Sequence, residues 1–113
     1  MKKLCVLLLL TVSLFANAKE YTFSPKDVPA MKQLLGSGNL QPGDAVVLKD
    51  GAYHNLEEIH FTGKGVSGKP IVWRAENPGK AVISGKLRLK IYGEYLQLED
   101  LLFYKAWAIG HDM

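Results

Sequence analysis

The sequence predicts an all-β protein, a right-handed parallel β-helix of single strands with an α-helix capping its N-terminal end. From Gly43 onward, short apolar runs alternate with glycine, proline, asparagine and lysine, which is typical of strands joined by turns. Mainly apolar segments at residues 46–48, 71–73 and 96–98 (Leu-Gln-Leu in the last) recur about every 25 residues, within the range of a solenoid repeat. A helical pattern precedes them and would cover the open end of the stack. A small β-sandwich, the alternative fold, would explain neither the helix nor the spacing.

The remaining strand segments and the corner motifs also fit a parallel β-helix. A second apolar series, at residues 59–61, 82–84 and 107–109, fills the gaps of the first at intervals of roughly 23–25 residues. It predicts the next face of each turn. The motifs PGD (residues 42–44) and DG (residues 50–51) bound a strand too short for an ordinary meander and are expected to form its tight corners. The first about three turns of the coil are therefore expected within the chain.

The first 18 residues have the features of a secretory signal peptide. Lys2 and Lys3 precede an apolar run at residues 4–15, and Ala16-Asn17-Ala18 forms a small-x-small cleavage site. A membrane anchor is the alternative, but a bilayer span needs about 20 apolar residues. We expect cleavage after Ala18, a secreted or periplasmic mature chain of residues 19–113, and no remaining membrane anchor.

Cleavage would change the cysteine content and the charge. Cys5 is the only cysteine, so the mature chain is expected to have no disulfide, thiol nucleophile or zinc-thiolate site. Loss of Lys2 and Lys3 leaves 12 of the 14 basic residues against 11 acidic ones, and the formal charge falls from +3 to +1. Because the remaining cations are interspersed with acids, a nucleic-acid partner is excluded.

The mature chain begins with a helix predicted at residues 25–35. Ser24 is a favourable N-cap, a proline follows at the first helical position, and Asp27 lies near the positive end of the helix dipole. Gly36 and Gly38 are expected to end the helix. Its apolar stripe consists of Val28, Met31, Leu34 and Leu35.

Residues 40–103 resemble the N-terminal turns of polysaccharide lyase family 6, which includes alginate lyases and chondroitinase B. The shared order is PGD, a short apolar strand, DGxY, a GxGxxGKPI corner, an apolar strand ending in NPGK, then a strand and a glycine. Asp100 departs from the pattern, because the family tends to have glycine before the last strand. Since aspartate tolerates left-handed backbone better than most residues, this corner is expected to form.

The resemblance implies a function. Members of the family cleave uronate-containing polysaccharides by β-elimination, so the chain is expected to be the N-terminal fragment of a secreted lyase acting on alginate (polymannuronate) or dermatan sulfate. A Ca²⁺ ion held by oxygen ligands would neutralise the uronate carboxylate in the full-length parent. The family's Lys base, its Arg and its Asn/Glu ligands lie on middle turns beyond Met113. No catalytic, substrate-binding or metal-ligating residue is therefore assigned in this chain, and the fragment alone is expected to be inactive and to bind no Ca²⁺.

Several residues within the chain were weighed as site candidates, each against a structural alternative. Two acidic pairs could ligate a metal, but neighbours in a strand point to opposite faces, which favours solvated edges; the pairs are Glu57-Glu58 and Glu99-Asp100. Five cations could line a polyanion groove, although outward strand positions also explain them: Arg74, Lys86, Arg88, Lys90 and Lys105. Three histidines lack metal-ligand spacing and are expected in turns or at the surface: His54, His60 and His111. Four aromatic residues could stack on sugars but are expected in the core: Tyr53, Trp73, Tyr92 and Trp107.

The C-terminal stretch AWAIGHDM stops in the middle of an expected turn, without a polar closing element. Because a solenoid needs a cap at both ends, we interpret the chain as a fragment. Two functions remain open at this point. One is the N-terminal part of a polysaccharide lyase, and the other is a non-catalytic β-helical carbohydrate-binding or adhesin-like module.

Overall fold

The computed structural model describes residues 18–108, with the side chains of Trp107 and Ala108 excepted. The expectations for Cys5, His111 and the signal peptide up to residue 17 lie outside the described residues. Between residues 18 and 108, no helix has both the length and the apolar character needed to cross a bilayer.

The described chain contains one α-helix and eight strands. A 3₁₀ turn at Pro25–Asp27 leads into the helix, α1, at Val28–Ser37. The first four strands are β1 (Glu20–Phe23), β2 (Ala45–Leu48), β3 (Gly51–His54) and β4 (Glu57–Lys64). The others are β5 (Ile71–Ala75), β6 (Ala81–Glu94), β7 (Leu96–Glu99) and β8 (Leu102–Ala108).

The strands form two sheets, and the chain passes between them repeatedly. One sheet has the order β1-β2-β5-β7, and the other has β3-β6-β4 with β8 on β6. Every strand pair is parallel. Because β3 and β4 pair with successive parts of β6, they form one line beside it. The fold is thus mostly strand with parallel sheets, and it is compatible with a β-helix.

The strand register supports one predicted series and corrects the other. Ile71 pairs with Leu96 as its 25-residue spacing predicts, whereas Val46 pairs with Trp73, two residues beyond its predicted partner. The second series was wrong, because Ile59 pairs with Leu89 rather than with residues 82–84. The cause is that the corner joining one sheet to the other differs in length between successive turns. Five residues separate β5 from β6 but only two separate β2 from β3, and an exposed loop can lengthen without moving the strands it joins.

The predicted helix is present but shifted, because Ser24 caps the 3₁₀ turn and α1 begins only at Val28, with Asp27 as its N-cap. The Asp27 carboxylate accepts hydrogen bonds from the backbone N–H of Ser24 at 3.1 Å and from its hydroxyl at 2.8 Å. Gly38, with φ of 75°, ends α1 in the left-handed conformation, while Gly36 lies within the helix and faces His60 on β4.

The apolar stripe of α1 faces the strands. Met31 and Leu35 are fully buried, whereas Val28 and Leu34 are only half-buried against the same core. The Lys32 ammonium donates a hydrogen bond of 2.9 Å to the Leu56 carbonyl, just before β4 begins. The helix therefore lies along β4 and covers its edge.

The core lies between the two sheets and α1. Trp73 and Phe61 meet edge to face, with ring centroids 6.2 Å apart. The largest fully buried side chains are Trp73, Tyr53, Phe61, Met31, Leu35, Leu48, Ile59, Ile71, Ile83 and Val46.

The opposite end of the stack, formed by β7, β8 and the second half of β6, exposes apolar side chains. Their exposed fractions range from 37% for Leu98 to 57% for Tyr95. This set, called the open end below, is Ile91, Tyr95, Leu98, Leu102, Phe103 and Tyr104, whereas the exposed Tyr92 lies on the outward face of β6.

Candidate functional site

The PGD corner is organised by a buried carboxylate. Asp44 is 2% exposed. One of its oxygens accepts a hydrogen bond of 2.8 Å from the Gln41 backbone N–H, and the other accepts one of 2.9 Å from the Lys19 backbone N–H. The corner thus holds the start of β1 beside β2.

The DGAY motif is also structural. Tyr53 is buried, and its hydroxyl donates to the Lys49 carbonyl at 2.7 Å and lies 3.2 Å from the Phe23 carbonyl. Burial raises the pKa of Tyr53 to about 12, and nearby carboxylates, those of Asp27, Asp50 and Glu76, add to this rise. Tyr53 therefore joins the β2–β3 corner to the end of β1 and is not available to stack on a sugar.

The other aromatic candidates divide between core and surface. Trp73 is fully buried, so the core prediction is confirmed for Trp73 and Tyr53. For Tyr92 the core prediction was wrong, because the residue lies on the outward face of β6, is 51% exposed and stacks on His60 with ring centroids 6.0 Å apart. The side chain of Trp107 lies outside the described residues.

The acidic pairs lie at exposed positions, as predicted. The Glu58 carboxylate lies 2.6 Å from His60 Nε2 and 3.7 Å from Arg88 Nη1. The hydrogen bond from His60 lowers the pKa of Glu58. Asp100 adopts φ of 61°, the left-handed conformation that its place in the glycine position requires. Between residues 18 and 108, no group of three or more His, Cys, Asp and Glu could hold a metal ion.

The candidate cations lie along the outer surface without forming one groove. Arg74 contacts the Glu20 carboxylate at 2.7 Å, and the Lys105 ammonium lies 5.4 Å from the ring centre of Tyr104. Lys86 is exposed, while Arg88 and Lys90 are half-buried on the outer face of β6. Both arginines alternate with buried residues along β5 and β6, so the prediction of ordinary outward strand positions is confirmed for them.

Two histidines lie at the surface. His54 Nδ1 is 3.0 Å from the Ser84 hydroxyl across the β3–β6 pair, and His60 contacts Glu58 as described above. The surface prediction is confirmed for both.

The structure adds a cavity that the sequence did not predict. It has a volume of about 540 Å³ and lies between the loop after α1 and the paired ends of β4 and β6. Its lining residues are Gly38, Leu40, Gln41, Pro42, Thr62, Gly63, Lys64, Tyr92 and Gly93. No local motif marks it, because it arises where a loop folds over two strand ends. The sequence feature that could have indicated the cavity is the pairing of Gly63 with Gly93. This pairing could be identified only from the strand register in the structure.

The cavity combines groups that suit an acidic sugar. Tyr92 presents an exposed ring, Thr62 and Gln41 carry a hydroxyl and an amide, and Lys64 contributes an ammonium at the rim. Aromatic faces contact sugar rings, and an ammonium attracts a carboxylate. The lining thus offers one aromatic face, two neutral hydrogen-bonding side chains and one cation.

Comparison with known proteins gives one family and several solved structures. The family model described as Chondroitinase B matches residues 30–110. No curated protein matches the chain.

Three of the similar solved structures are of polysaccharide lyases. A mannuronic acid specific polysaccharide family 6 lyase from human gut microbiota is 97% identical over 82% of this chain, with a TM-score of 0.81. The family 6 alginate lyase AlyGC is 26% identical over 80% of the chain, with a TM-score of 0.65. The alginate lyase AlyF-OU02, solved with G6, is 26% identical over 80% of the chain, with a TM-score of 0.61. The chain spans only 21%, 12% and 18%, respectively, of these three proteins.

Proposed function

The chain belongs to the chondroitinase B family of polysaccharide lyases, family 6, and we propose that it forms the N-terminal part of a lyase that cleaves a uronate-containing polysaccharide by β-elimination. The observation that carries this proposal is the 97% identity to a mannuronic acid specific lyase over 82% of the chain. That identity favours polymannuronate over dermatan sulfate as the substrate.

The proposed reaction needs three groups. Elimination requires a base for the proton beside the uronate carboxylate, an acid for the departing 4-linked oxygen, and neutralisation of the carboxylate charge. A Ca²⁺ ion could neutralise that charge, but residues 18–108 offer no cluster of ligands for it. We propose that the Ca²⁺ site and the acid–base residues lie on turns of the longer lyase outside this chain, since the chain spans only 21% of the similar mannuronic acid specific lyase.

For this chain we propose the role of a capped first segment. Its strands would form the first about three turns of a right-handed parallel β-helix. The parallel pairing and the alternation of the chain between two sheets support this arrangement. In this role α1 closes the N-terminal end, since Met31 and Leu35 are buried beside β4. The following turns of the longer lyase would cover the open end.

We also propose that residues 1–18 are a signal peptide and that the mature protein is secreted or periplasmic. A lyase that acts on a large extracellular polymer must meet its substrate outside the cytoplasm. The sequence of charged, apolar and small residues before Lys19 supports export.

The first test concerns activity. The full-length lyase is expected to release a 4,5-unsaturated uronate from polymannuronate, detected by its ultraviolet absorbance, and to lose activity when Ca²⁺ is chelated. Residues 19–113 alone are expected to give no signal, because the base, the acid and the cation site lie outside them. The same fragment added to the active lyase serves as a control for inhibitors in the preparation.

Two outcomes would contradict the proposal. Turnover by the purified fragment would show that catalytic residues lie within it. A full-length protein that is silent on polymannuronate, other alginates and dermatan sulfate would instead favour the non-catalytic carbohydrate-binding or adhesin-like module.

A second test concerns the cavity as a polysaccharide contact. In the full-length lyase, Tyr92→Ala and Lys64→Ala are each expected to raise KM for the polymer about fivefold, the equivalent of about 1 kcal/mol of binding, with kcat unchanged. Lys80→Ala is the matched control, because Lys80 is an exposed lysine just before β6, whereas the cavity lies at the other end of that strand. Equal KM values for all three variants and the parent would remove the cavity from the binding surface.

A further inference from the structure

The backbone nitrogen of Lys19 lies in a defined position beside a buried acid. It donates a hydrogen bond of 2.9 Å to Asp44 Oδ1, and the carbonyl of Lys19 accepts one of 2.8 Å from the Ala45 backbone N–H. Lys19 is therefore held on both sides by the PGD corner.

The bond between Ala18 and Lys19 is also the bond that a signal peptidase would cut. The residues Ala16-Asn17-Ala18 fit the small-x-small pattern on its N-terminal side. Hydrolysis of this bond would consume one water molecule, leave a carboxylate on Ala18, and convert the Lys19 amide nitrogen into an α-amine that takes up a proton. A neutral N–H donor would become an ammonium at the same position.

We propose that Ala18–Lys19 is a maturation site whose product, the α-ammonium of Lys19, binds the buried carboxylate of Asp44. This inference rests on the proposed export of the protein. The inference adds that the new N-terminus at Lys19 contributes a contact that stabilises the fold. The ammonium replaces a neutral hydrogen bond with a charge-assisted one, which is shorter and about twice as strong.

The charges around this pair favour it. Asp44 is the one charged residue in the buried set of the described chain, and its second oxygen is already bonded to the Gln41 N–H. Glu20, the next residue on β1, contacts Arg74 at 2.7 Å and so directs its charge toward β5. Lys69 is a basic residue close to the PGD corner, with its Cβ near Gly43. Removal of Ala18, whose Cβ also lies near Gly43, leaves space through which water can reach the other ammonium protons.

Two forms of the full-length protein test the proposal. A removable N-terminal fusion can be cut to leave either Lys19 or Ala18 as the first residue. At neutral pH the α-amine of the Lys19 form is expected to react with an acetylating reagent at least about tenfold more slowly than that of the Ala18 form, a ratio that corresponds to one pKa unit. The Lys19 form is also expected to unfold a few degrees higher.

Two variants and one mass measurement complete the test. Asp44→Asn is expected to abolish both differences, whereas Glu20→Gln, which changes the neighbouring acid, is expected to preserve them. If Asp44→Asn fails to fold, the ratio of labelling rates between the two parent forms decides the question. Equal labelling rates and equal unfolding temperatures would overturn the proposal, and so would an exported protein whose mass shows a first residue other than Lys19. None of these measurements depends on lyase activity, so the two proposals can fail separately.

Discussion

Replacing Leu35 with aspartate is expected to destabilise the N-terminal turns by more than about 3 kcal/mol. Leu35 is fully buried between α1 and the strands. Truncation of a buried leucine to alanine already costs about 2–5 kcal/mol, and a carboxylate at the same place would lose its hydration without gaining a partner. The urea midpoint of unfolding and the rate of proteolysis within α1 measure the effect.

The matched control for this substitution is Gln33→Asp. Gln33 lies on the same helix but is exposed, so the control adds the same charge to α1 without burying it. We expect the control to change stability by less than about 0.5 kcal/mol. If the Leu35 variant resists urea and protease as well as the control does, α1 does not cap the stack.

Replacing Gly93 with alanine is expected to cost more than about 3 kcal/mol, because the substitution forces two paired strands apart. Gly93 has φ of 141°, and a Cβ at this position would overlap the carbonyl oxygen of Gly63 on β4. Backbone on both sides of the contact leaves no flexible side chain that could move away. The measurement is again the urea midpoint, together with the volume and lining of the cavity in a structure of the variant.

Gly79→Ala separates this clash from ordinary glycine strain. Gly79 also has a positive φ, 73°, but a Cβ there would meet no atom within 4 Å. Its substitution is therefore expected to cost only about 1–2 kcal/mol, the penalty of a left-handed alanine. Equal losses at the two positions would mean that the approach of β6 to β4 does not require a glycine.

The parts of the fold that could be predicted from the sequence depend on local chemistry. A helix after Ser24 followed from its apolar stripe and its polar start, but the Ser24–Asp27 contacts cap the 3₁₀ turn that leads into α1, and α1 itself begins three residues later than predicted. The left-handed backbone at Asp100 followed from the tolerance of aspartate for that conformation. In both cases, neighbouring residues determine the outcome.

The parts that were missed depend on how distant segments meet. The second apolar series failed because the corner between β5 and β6 is longer than the equivalent corner between β2 and β3, and periodicity cannot detect this difference in so few repeats. Tyr92 was expected in the core, but its alternating position on β6 directs it outward. The contact between Lys19 and Asp44 joins residues 25 positions apart, and no motif links them.

The two ends of the stack differ, and this difference gives the molecule a direction of growth. At one end α1 lies along β4, while the open end presents apolar side chains on the last strands described. If α1 caps the first turn as proposed, new strands can add only at the open end. A chain exported from its N-terminus would first fold the end that α1 covers. Each later turn would then pack on a turn that has already formed. Assembly would follow the order of export, and each turn would need to find only the turn before it.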